Sequence, residues 1–234
     1  MAHKKTTTDL PAPRLLARWP VLGLILFLFG VLVFGGLLYN LRANGPLLQW
    51  DNTLANNLPA IALKSPPFTE SFMDAGFYIG KEVVIVLGIL LGLYFLVRRY
   101  WEELIMVAVG LGGSSLLFST LSNLIGRARP PTQIWILVKI PGFPSGHAIS
   151  VVVFYGLVAY LLAPKMPARF WKIVVFAAAL LIIGFVGFSR VFTGGHYLTD
   201  ILAGYAVGIA WSSFAYTFIE LFFQERRLRN VKKE

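Results

Sequence analysis

The stretch VLGLILFLFGVLVFGGLLYNL, which spans Val21–Leu41, contains no charged residue. A bilayer core about 30 Å thick is crossed by roughly 20 apolar residues in an α-helix, and a helix satisfies its own backbone hydrogen bonds there. The stretch is too long for the apolar region of a cleaved signal peptide, and the residues after it match a cleavage site poorly. It therefore predicts a retained transmembrane helix.

Five further apolar segments follow along the 234-residue chain, and they cover residues 75–97, 104–125, 146–162, 173–188 and 198–223. The whole chain is 57% hydrophobic and 14% charged, which excludes a water-soluble globule, and it has no cysteine for disulfides or thiolate chemistry. The sequence thus predicts an all-α, polytopic membrane protein with six transmembrane helices. We divide it into an amino-terminal arm (1–20), a six-helix membrane domain (21–223) and a basic tail (224–234).

The connection between the first two predicted spans, residues 42–68, is not a simple loop. Its apolar residues recur at helical spacing: Leu47, Leu48, Trp50, Leu54, Leu58, Ile61 and Leu63. This pattern predicts an additional helix lying in the membrane interface. The sequence leaves open whether that helix has a specific role or only packs over the bundle.

Lysine and arginine are distributed unevenly between the two sides of the predicted bundle. Fourteen of the 21 lie in the amino-terminal arm, the second and fourth connections and the tail, which predicts that both termini are cytoplasmic. In so hydrophobic a chain the excess positive charge indicates orientation rather than nucleic-acid binding. Arg127, Arg129 and Arg190 fall on the opposite side, beside two histidines, so we expect the functional site on the outer face of the cell membrane.

His196 and Asp200 are four residues apart at the start of the sixth predicted span. Residues at this spacing share a helix face, so the carboxylate can accept a hydrogen bond from one imidazole nitrogen. The other nitrogen then keeps an exposed lone pair and can act as a nucleophile or base. An isolated pair of this kind is more often a structural bridge, so its neighbours decide between the two interpretations.

Those neighbours favour an anion-binding site. Ser145 and Gly146 begin the fourth predicted span, where unpaired backbone N–H groups and the helix dipole attract negative charge. His147 follows them directly. Arg129 and Arg190 carry planar guanidinium groups that match phosphate oxygens. Because such charge near a membrane face is costly unless it is used or paired, the group predicts a site for a phosphoryl anion.

The expected chemistry uses no metal and no cofactor. The sequence contains no Walker loop, no EF-hand and no cluster of carboxylates near these histidines, so positive charge must come from side chains. Phosphoryl transfer depends mainly on positioning and on stabilising charge, which the arginines supply. His196 would attack phosphorus, and His147 would protonate the leaving oxygen and then activate water.

Three short motifs resemble those of the type-2 phosphatidic acid phosphatases, which include bacterial phosphatidylglycerophosphate and undecaprenyl-pyrophosphate phosphatases: Arg129-Pro130, Pro144-Ser145-Gly146-His147, and Ser189-Arg190 through His196 to Asp200. The second and third motifs match in full, and the six-helix layout extends the similarity over nearly the whole chain. The resemblance implies a general acid, a nucleophile and its orienting partner at His147, His196 and Asp200. It also implies phosphate binding by Arg129, Ser145, Gly146 and Arg190.

The first motif departs from the family pattern. The family's lysine, seven residues before Arg129, is replaced by Ser122, which supplies no cation. Our hypothesis is that Arg127 compensates by binding phosphate.

The second predicted span carries Lys81 and Glu82 near its outer end. Ionisable residues in a span usually face the protein interior or an aqueous cavity, so Lys81 is predicted to line the path of the substrate headgroup. The alternative is that the lysine extends to the membrane interface.

Taken together, the sequence predicts an integral-membrane lipid phosphatase. Its substrate would be a lipid phosphate or pyrophosphate, namely undecaprenyl pyrophosphate, phosphatidylglycerophosphate or phosphatidate, and its partners would be membrane lipids without nucleic acid or an obligatory protein. The alternative is a phosphate-binding transporter or channel, which requires polar residues through the membrane midplane. A soluble vanadate-dependent haloperoxidase, which has similar motifs, is excluded by the six spans.

Overall fold

The computed structural model describes residues 14–64, 66–131 and 140–231, and every regular element in these ranges is a helix. The all-helical prediction is confirmed. The α-helices are α1 (Leu15–Arg18), α2 (Pro20–Arg42), α3 (Leu47–Ala62), α4 (Pro66–Gly80), α5 (Glu82–Val97), α6 (Trp101–Ile125), α7 (Gly146–Leu162), α8 (Arg169–Phe192) and α9 (Leu198–Val231).

Six stretches are long and apolar enough to cross a membrane, as predicted: Pro20–Arg42, Ala75–Val97, Trp101–Ile125, Gly146–Lys165, Arg169–Phe192 and Leu198–Asn230. The main differences are at the ends. The last helix continues through Val231, into the region assigned to the basic tail, where Arg229 pairs with Glu225 one turn earlier. Such pairs support a helix in water beyond the apolar stretch.

Helices α7 and α9 form the centre of the bundle. About 50% of the most apolar stretch of each of these two helices is buried inside the protein, against 17–22% for the corresponding stretches of the other four spans. Their close approach depends on small residues: a Cβ at Gly204 of α9 would lie 2.7 Å from the carbonyl oxygen of Ser145 and 2.6 Å from the Cβ of Ala148. Because helices in lipid associate by close packing, this contact holds the starts of α7 and α9 together.

The two ends of the bundle carry different groups. At one end, Arg14 contacts Glu102 and Glu103, and Arg227 contacts Glu102, so the chain before α1, the start of α6 and the last part of α9 are joined. At the other end, α6 and α8 finish and α7 and α9 begin. The alternating direction of the spans therefore gathers the three sequence motifs at one end, opposite the end at which Arg14 and Arg227 lie.

Helix α3 covers this second end. Leu54 and Leu58 pack against the cluster formed by Ala148, Val191 and Ile201, whereas Trp50 and Ile61 are exposed. The helix predicted between the first two spans is thus present, and one of its faces lies on α7, α8 and α9.

The second span is divided at Lys81. Its backbone (φ −136°, ψ −60°) separates α4 from α5, although the sequence predicted one continuous helix over 75–97. The division lies against α7, since a Cβ at Gly80 would be 3.0 Å from the Cδ2 atom of His147.

Candidate active site

A cavity of about 310 Å³ lies where the motifs converge. Five predicted site residues line it: Arg129, Gly146, His147, Arg190 and His196. Lys81 lines it as well, and the rest of its wall is largely apolar, formed by side chains such as Phe77, Val84, Ile85, Leu111 and Phe118. A cavity with convergent polar groups at one part and an apolar wall elsewhere is typical of a small-ligand site.

The start of α7 is built around Ser145. This residue is fully buried, and its Oγ atom accepts a hydrogen bond from the backbone N–H of Ala148, which caps the helix. Ser145 itself lies behind the cavity, whereas Gly146 lines it. With no side chain, Gly146 leaves the helix terminus open to a ligand.

The imidazole of His196 is 1% exposed and is held from both sides. Its Nδ1 atom lies 3.0 Å from the carbonyl oxygen of Gly142, and its Nε2 atom lies 3.0 Å from Nη1 of Arg129. A carbonyl only accepts and a guanidinium only donates, so Nδ1 carries the proton and Nε2 offers its lone pair. This is the tautomer that a nucleophilic Nε2 requires.

Burial lowers the pKa of His196 below its usual value. The nearby guanidinium groups of Arg129 and Arg190 lower this pKa further, and Asp200 opposes the shift. His196 is therefore a neutral imidazole at pH 7.

Asp200 is fully buried beneath His196. Its Oδ2 atom lies 3.4 Å from Nδ1 of His196 and accepts a hydrogen bond from the backbone N–H of Tyr197 at 3.0 Å. The spacing argument led us to expect the carboxylate as the partner of this nitrogen. In the structure the carbonyl of Gly142 lies closer to Nδ1, so this nitrogen faces two acceptors, of which Asp200 is the more distant.

The two cavity arginines are oriented in different ways. Arg129 donates from Nη1 to the carbonyl of Gly195 (2.7 Å) and from Nε to the carbonyl of Ile140 (2.9 Å). Arg190 is 6% exposed, and its Cζ atom lies 5.4 Å from the ring centroid of Phe77. Its Nε atom is buried without a hydrogen-bond partner among the described residues.

His147 lines the same cavity. Its ring centroid is 5.3 Å from that of Phe77, and its buried Nε2 atom also has no partner within the described part of the chain. Buried polar atoms usually find a partner. The unpaired atoms of His147 and Arg190 therefore leave two polar groups of the cavity available to a polar ligand.

Arg127 does not line the cavity. Its Nη1 atom donates to Oδ1 of Asp200 (2.5 Å) and to the hydroxyl of Thr199 (2.7 Å), and its Nη2 atom donates to Oδ2 of Asp51 (2.8 Å). The two buried carboxylates hold the guanidinium behind His196. The structure thus separates Arg127 from the residues with which we expected it to bind phosphate.

A comparison with protein families shows that the sequence model of the PAP2 superfamily matches residues 103–224, which is more than half of the chain. The chain belongs to the PAP2 superfamily. This match confirms the family that the three motifs indicated, and with the six apolar helices it makes the protein a multi-pass membrane protein of that superfamily.

Individual relatives agree with this assignment. Phosphatidylglycerophosphatase B of Bacillus subtilis is 32% identical over 129 residues, which cover 54% of this PAP2 chain and 61% of that protein. Lipid A 1-phosphatase of Rhizobium johnstonii is 34% identical over 110 residues, covering 43% of this chain and 41% of that protein. The PAP2 chain thus spans less than two thirds of the length of these relatives.

A solved structure gives broader coverage. The crystal structure of the first transmembrane PAP2-type phosphatidylglycerolphosphate phosphatase from Bacillus subtilis superposes with a TM-score of 0.68 and 26% sequence identity. The superposition covers 87% of the present PAP2 chain and 96% of that chain. The arrangement of the helices is therefore shared along nearly the whole molecule.

Ser122 and Lys81 differ in their position relative to the PAP2 cavity. Ser122, where the family lysine is missing, is buried within α6 and does not line the cavity. Lys81, from the break between α4 and α5, lines the cavity, and among the described residues it has no ion-pair partner. Within the described ranges, no group of three His, Cys, Asp or Glu side chains lies together to hold a metal ion.

Sequence reasoning missed one charged residue of the network, Asp51. The sequence contained one signal for it: Asp51 is the single charged residue in the 16-residue α3. A lone carboxylate in an amphipathic helix indicates either an exposed face or a buried partner, and the partner here is 76 residues away in the chain.

Proposed function

We propose that this PAP2 protein is a lipid phosphatase, which removes phosphate from a lipid phosphate or pyrophosphate through a phosphohistidine. The observation that carries the proposal is the cavity in which His147, His196, Arg129 and Arg190 meet, with buried unpaired atoms on His147 and Arg190. The relatives named as phosphatidylglycerophosphatase and lipid A 1-phosphatase support the same chemistry.

The first step is attack by Nε2 of His196 on phosphorus. The N–P bond forms as the bond from phosphorus to the leaving oxygen breaks, and His147 donates a proton to that oxygen. In the structure an N–H of Arg129 occupies the lone pair of Nε2. Arriving phosphate would draw this N–H onto its own oxygen, which frees the lone pair for attack.

The second step returns the enzyme to its starting state. His147, now neutral, takes a proton from water as the water oxygen attacks phosphorus and the N–P bond breaks. Inorganic phosphate leaves and Nε2 of His196 regains its lone pair. Arg129, Arg190 and the start of α7 stabilise the charge on the phosphoryl oxygens in both steps, and such donors are most effective where water is excluded.

The apolar wall of the cavity favours a substrate with a hydrocarbon tail. Leu111 and Phe118 of α6 face the cavity together with Val84 and Ile85 of α5, so acyl or prenyl chains have an apolar path between these helices. Phosphatidylglycerophosphate, undecaprenyl pyrophosphate and phosphatidate all fit this description. The positive-inside bias of the sequence supports cytoplasmic termini and a site at the outer face of the cell membrane.

The distribution of charge argues against a transporter. The charged residues of the six spans lie toward their ends, at the Lys81–Glu82 break or, in the case of Glu220, in the last third of α9, and the central turns of the spans carry none. A translocation path for phosphate requires polar groups through the midplane. An enzyme that works at one face does not.

Phosphate release by the purified protein in detergent tests this function. With a chelator present and no other protein added, we expect release from at least one of phosphatidylglycerophosphate, undecaprenyl pyrophosphate and phosphatidate. Activity with the chelator agrees with a mechanism that uses side chains alone. Release that requires added Mg²⁺, or no release from any of the three lipids, would contradict the proposal.

Lys81 is expected to bind the headgroup. Lys81→Met should raise KM by about tenfold, which corresponds to roughly 1.4 kcal/mol of lost binding, with a smaller change in kcat. The effect should be larger for a pyrophosphate than for a monoester because the former carries more charge. Lys64→Met, which removes an exposed lysine after α3, is the control. Unchanged catalytic efficiency in Lys81→Met would show instead that this side chain extends to the interface.

A further inference from the structure

Asp51 is an unusual residue for a helix that covers the end of a bundle. Its side chain is fully buried. One carboxylate oxygen accepts a hydrogen bond from the backbone N–H of Thr199 at 3.0 Å, and the other accepts from the hydroxyl of Thr199 and from Nη2 of Arg127 at 2.8 Å. A buried carboxylate with this many donors is held in one position.

Arg127 connects Asp51 to the catalytic pair. Its other terminal nitrogen donates to Oδ1 of Asp200, and its Cζ atom lies 4.1 Å from the ring centroid of Tyr197. The side chain is 9% exposed. A continuous line of contacts therefore runs from α3 through Asp51, Arg127 and Asp200 to His196.

The division of Arg127 between two carboxylates determines how much of the charge of Asp200 acts on His196. An arginine paired with Asp200 alone would engage both of its oxygens. Here Asp51 takes one edge of the guanidinium, so Arg127 contacts only Oδ1 of Asp200. Oδ2, which accepts a hydrogen bond from the backbone N–H of Tyr197, is left facing Nδ1 of His196.

The net charge of the network formed by Asp51, Arg127 and Asp200 favours formation of the phosphohistidine. Two carboxylates and one guanidinium leave one excess negative charge beneath His196. When Nε2 bonds to phosphorus while Nδ1 keeps its proton, the imidazole ring becomes cationic. The excess negative charge of the network stabilises that cation.

We propose that Asp51 is a positioning residue for the phosphatase reaction, which acts through Arg127 to hold Asp200 toward His196. Helix α3 is then part of the catalytic apparatus. The inference rests on the proposed function, since it concerns the reactivity of the same histidine.

A pH profile reports this role because several charges face His196. They come from Arg129 after α6, His147 of α7, Arg190 of α8 and Asp200 of α9, with Arg127 and Asp51 behind. Asp200 is the one anion in direct contact with the ring among the described residues. Removing the charge of Asp51 leaves Arg127 free to neutralise Asp200, which makes the imidazolium form less stable.

Asp51→Asn is the variant that tests the proposal, since it keeps the size of the side chain and an oxygen for Thr199. We expect kcat to fall about tenfold with KM nearly unchanged. The rise of kcat/KM with pH on the acid side of its profile, here called the acid limb, reports deprotonation of His196. This acid limb should move to lower pH, because the pKa of His196 falls when negative charge is removed. Asp51→Glu, which restores the charge, should recover the wild-type limb.

Controls separate positioning from simple packing. Asn52→Ala changes an exposed residue of the same helix and should leave both kcat and the acid limb unchanged. If Asp51 only anchors α3, Asp51→Asn will lower the melting temperature or the yield while the acid limb stays in place. That outcome would overturn the proposal.

Arg127→Gln gives an independent test should Asp51→Asn fail to fold. A positioning role predicts a fall in kcat with KM nearly unchanged, whereas loss of a phosphate ligand would raise KM. Adding Asp51→Asn to Arg127→Gln should cause no further fall, because Asp51 acts through Arg127. Wild-type kcat in Arg127→Gln, or additive losses in the double variant, would contradict the inference. A wild-type protein that releases no phosphate would instead overturn the proposed function itself.

Discussion

Replacing His196 with alanine should lower the rate of phosphate release by roughly 10⁴-fold or more. The imidazole is buried, its Nδ1 proton is fixed by the carbonyl of Gly142, and its Nε2 atom carries the lone pair that forms the N–P bond. Among the described residues, the other histidine lining the cavity is His147, whose role as proton donor is separate. No side chain is then left in position to form the covalent intermediate.

The measurement is steady-state release of phosphate from the best of the three lipids, with the amount of folded enzyme determined by size-exclusion chromatography in detergent. The arginines remain in the variant, so inhibition by inorganic phosphate should be largely retained. Loss of turnover with retained phosphate binding identifies a chemical role. Normal turnover in His196→Ala would remove His196 as the nucleophile.

The second large effect is expected for Arg190→Lys, in which the positive charge is kept and the planar guanidinium is lost. We expect kcat/KM to fall by about 10²- to 10³-fold, which corresponds to roughly 2.7–4 kcal/mol of transition-state stabilisation. Arg190 is 6% exposed, and its Nε atom, which has no partner among the described residues, can donate a hydrogen bond to a phosphoryl oxygen. A lysine ammonium is a point charge and does not reproduce this geometry.

Arg169→Lys is the matched control, because it makes the same substitution at the exposed opposite end of α8. Its catalytic efficiency should equal that of the wild type. If Arg190→Lys also retains efficiency within about twofold, then charge alone is sufficient at this position. A requirement for two simultaneous hydrogen bonds from the Arg190 guanidinium to phosphate would then be excluded.

The spans were predictable because length and apolarity determine which segments cross a bilayer, and the structure has helices at all six of them. The break at Lys81 could not be predicted, because hydropathy treats residues 75–97 as one apolar segment. It depends on packing against α7, where Gly80 lies next to His147. The helical extension to Val231 lies beyond the apolar stretch, in a region where Arg227 pairs with Glu102 and Arg229 with Glu225.

The residues of the site were predictable where they belong to a short sequence motif. Spacing alone predicted that His196 and Asp200 lie together, and they do, although His196 precedes α9, which begins at Leu198, so the two residues do not share a helix face. The antiparallel order of the spans then gathers the remaining motifs around the cavity. Arg127 could not be assigned from the sequence, because its two carboxylate partners, Asp51 and Asp200, come from helices more than 70 residues away. The hydrogen bond from His196 to Gly142 depends on the course of the chain before α7, which no periodic pattern describes.

Trapping the phosphoenzyme is the most direct test of nucleophilic attack by His196. Enzyme mixed with lipid radiolabelled at its terminal phosphorus is quenched in alkaline detergent, because phosphohistidine is labile in acid, and the labelled peptide is identified by mass spectrometry. We predict label on His196 in the wild type and none in His196→Ala. In His147→Ala, which loses both the proton donor of the first step and the activation of water in the second, the label should form more slowly and persist longer. Label on another residue, or rapid turnover with no trapped intermediate in either wild type or His147→Ala, would contradict covalent catalysis at His196.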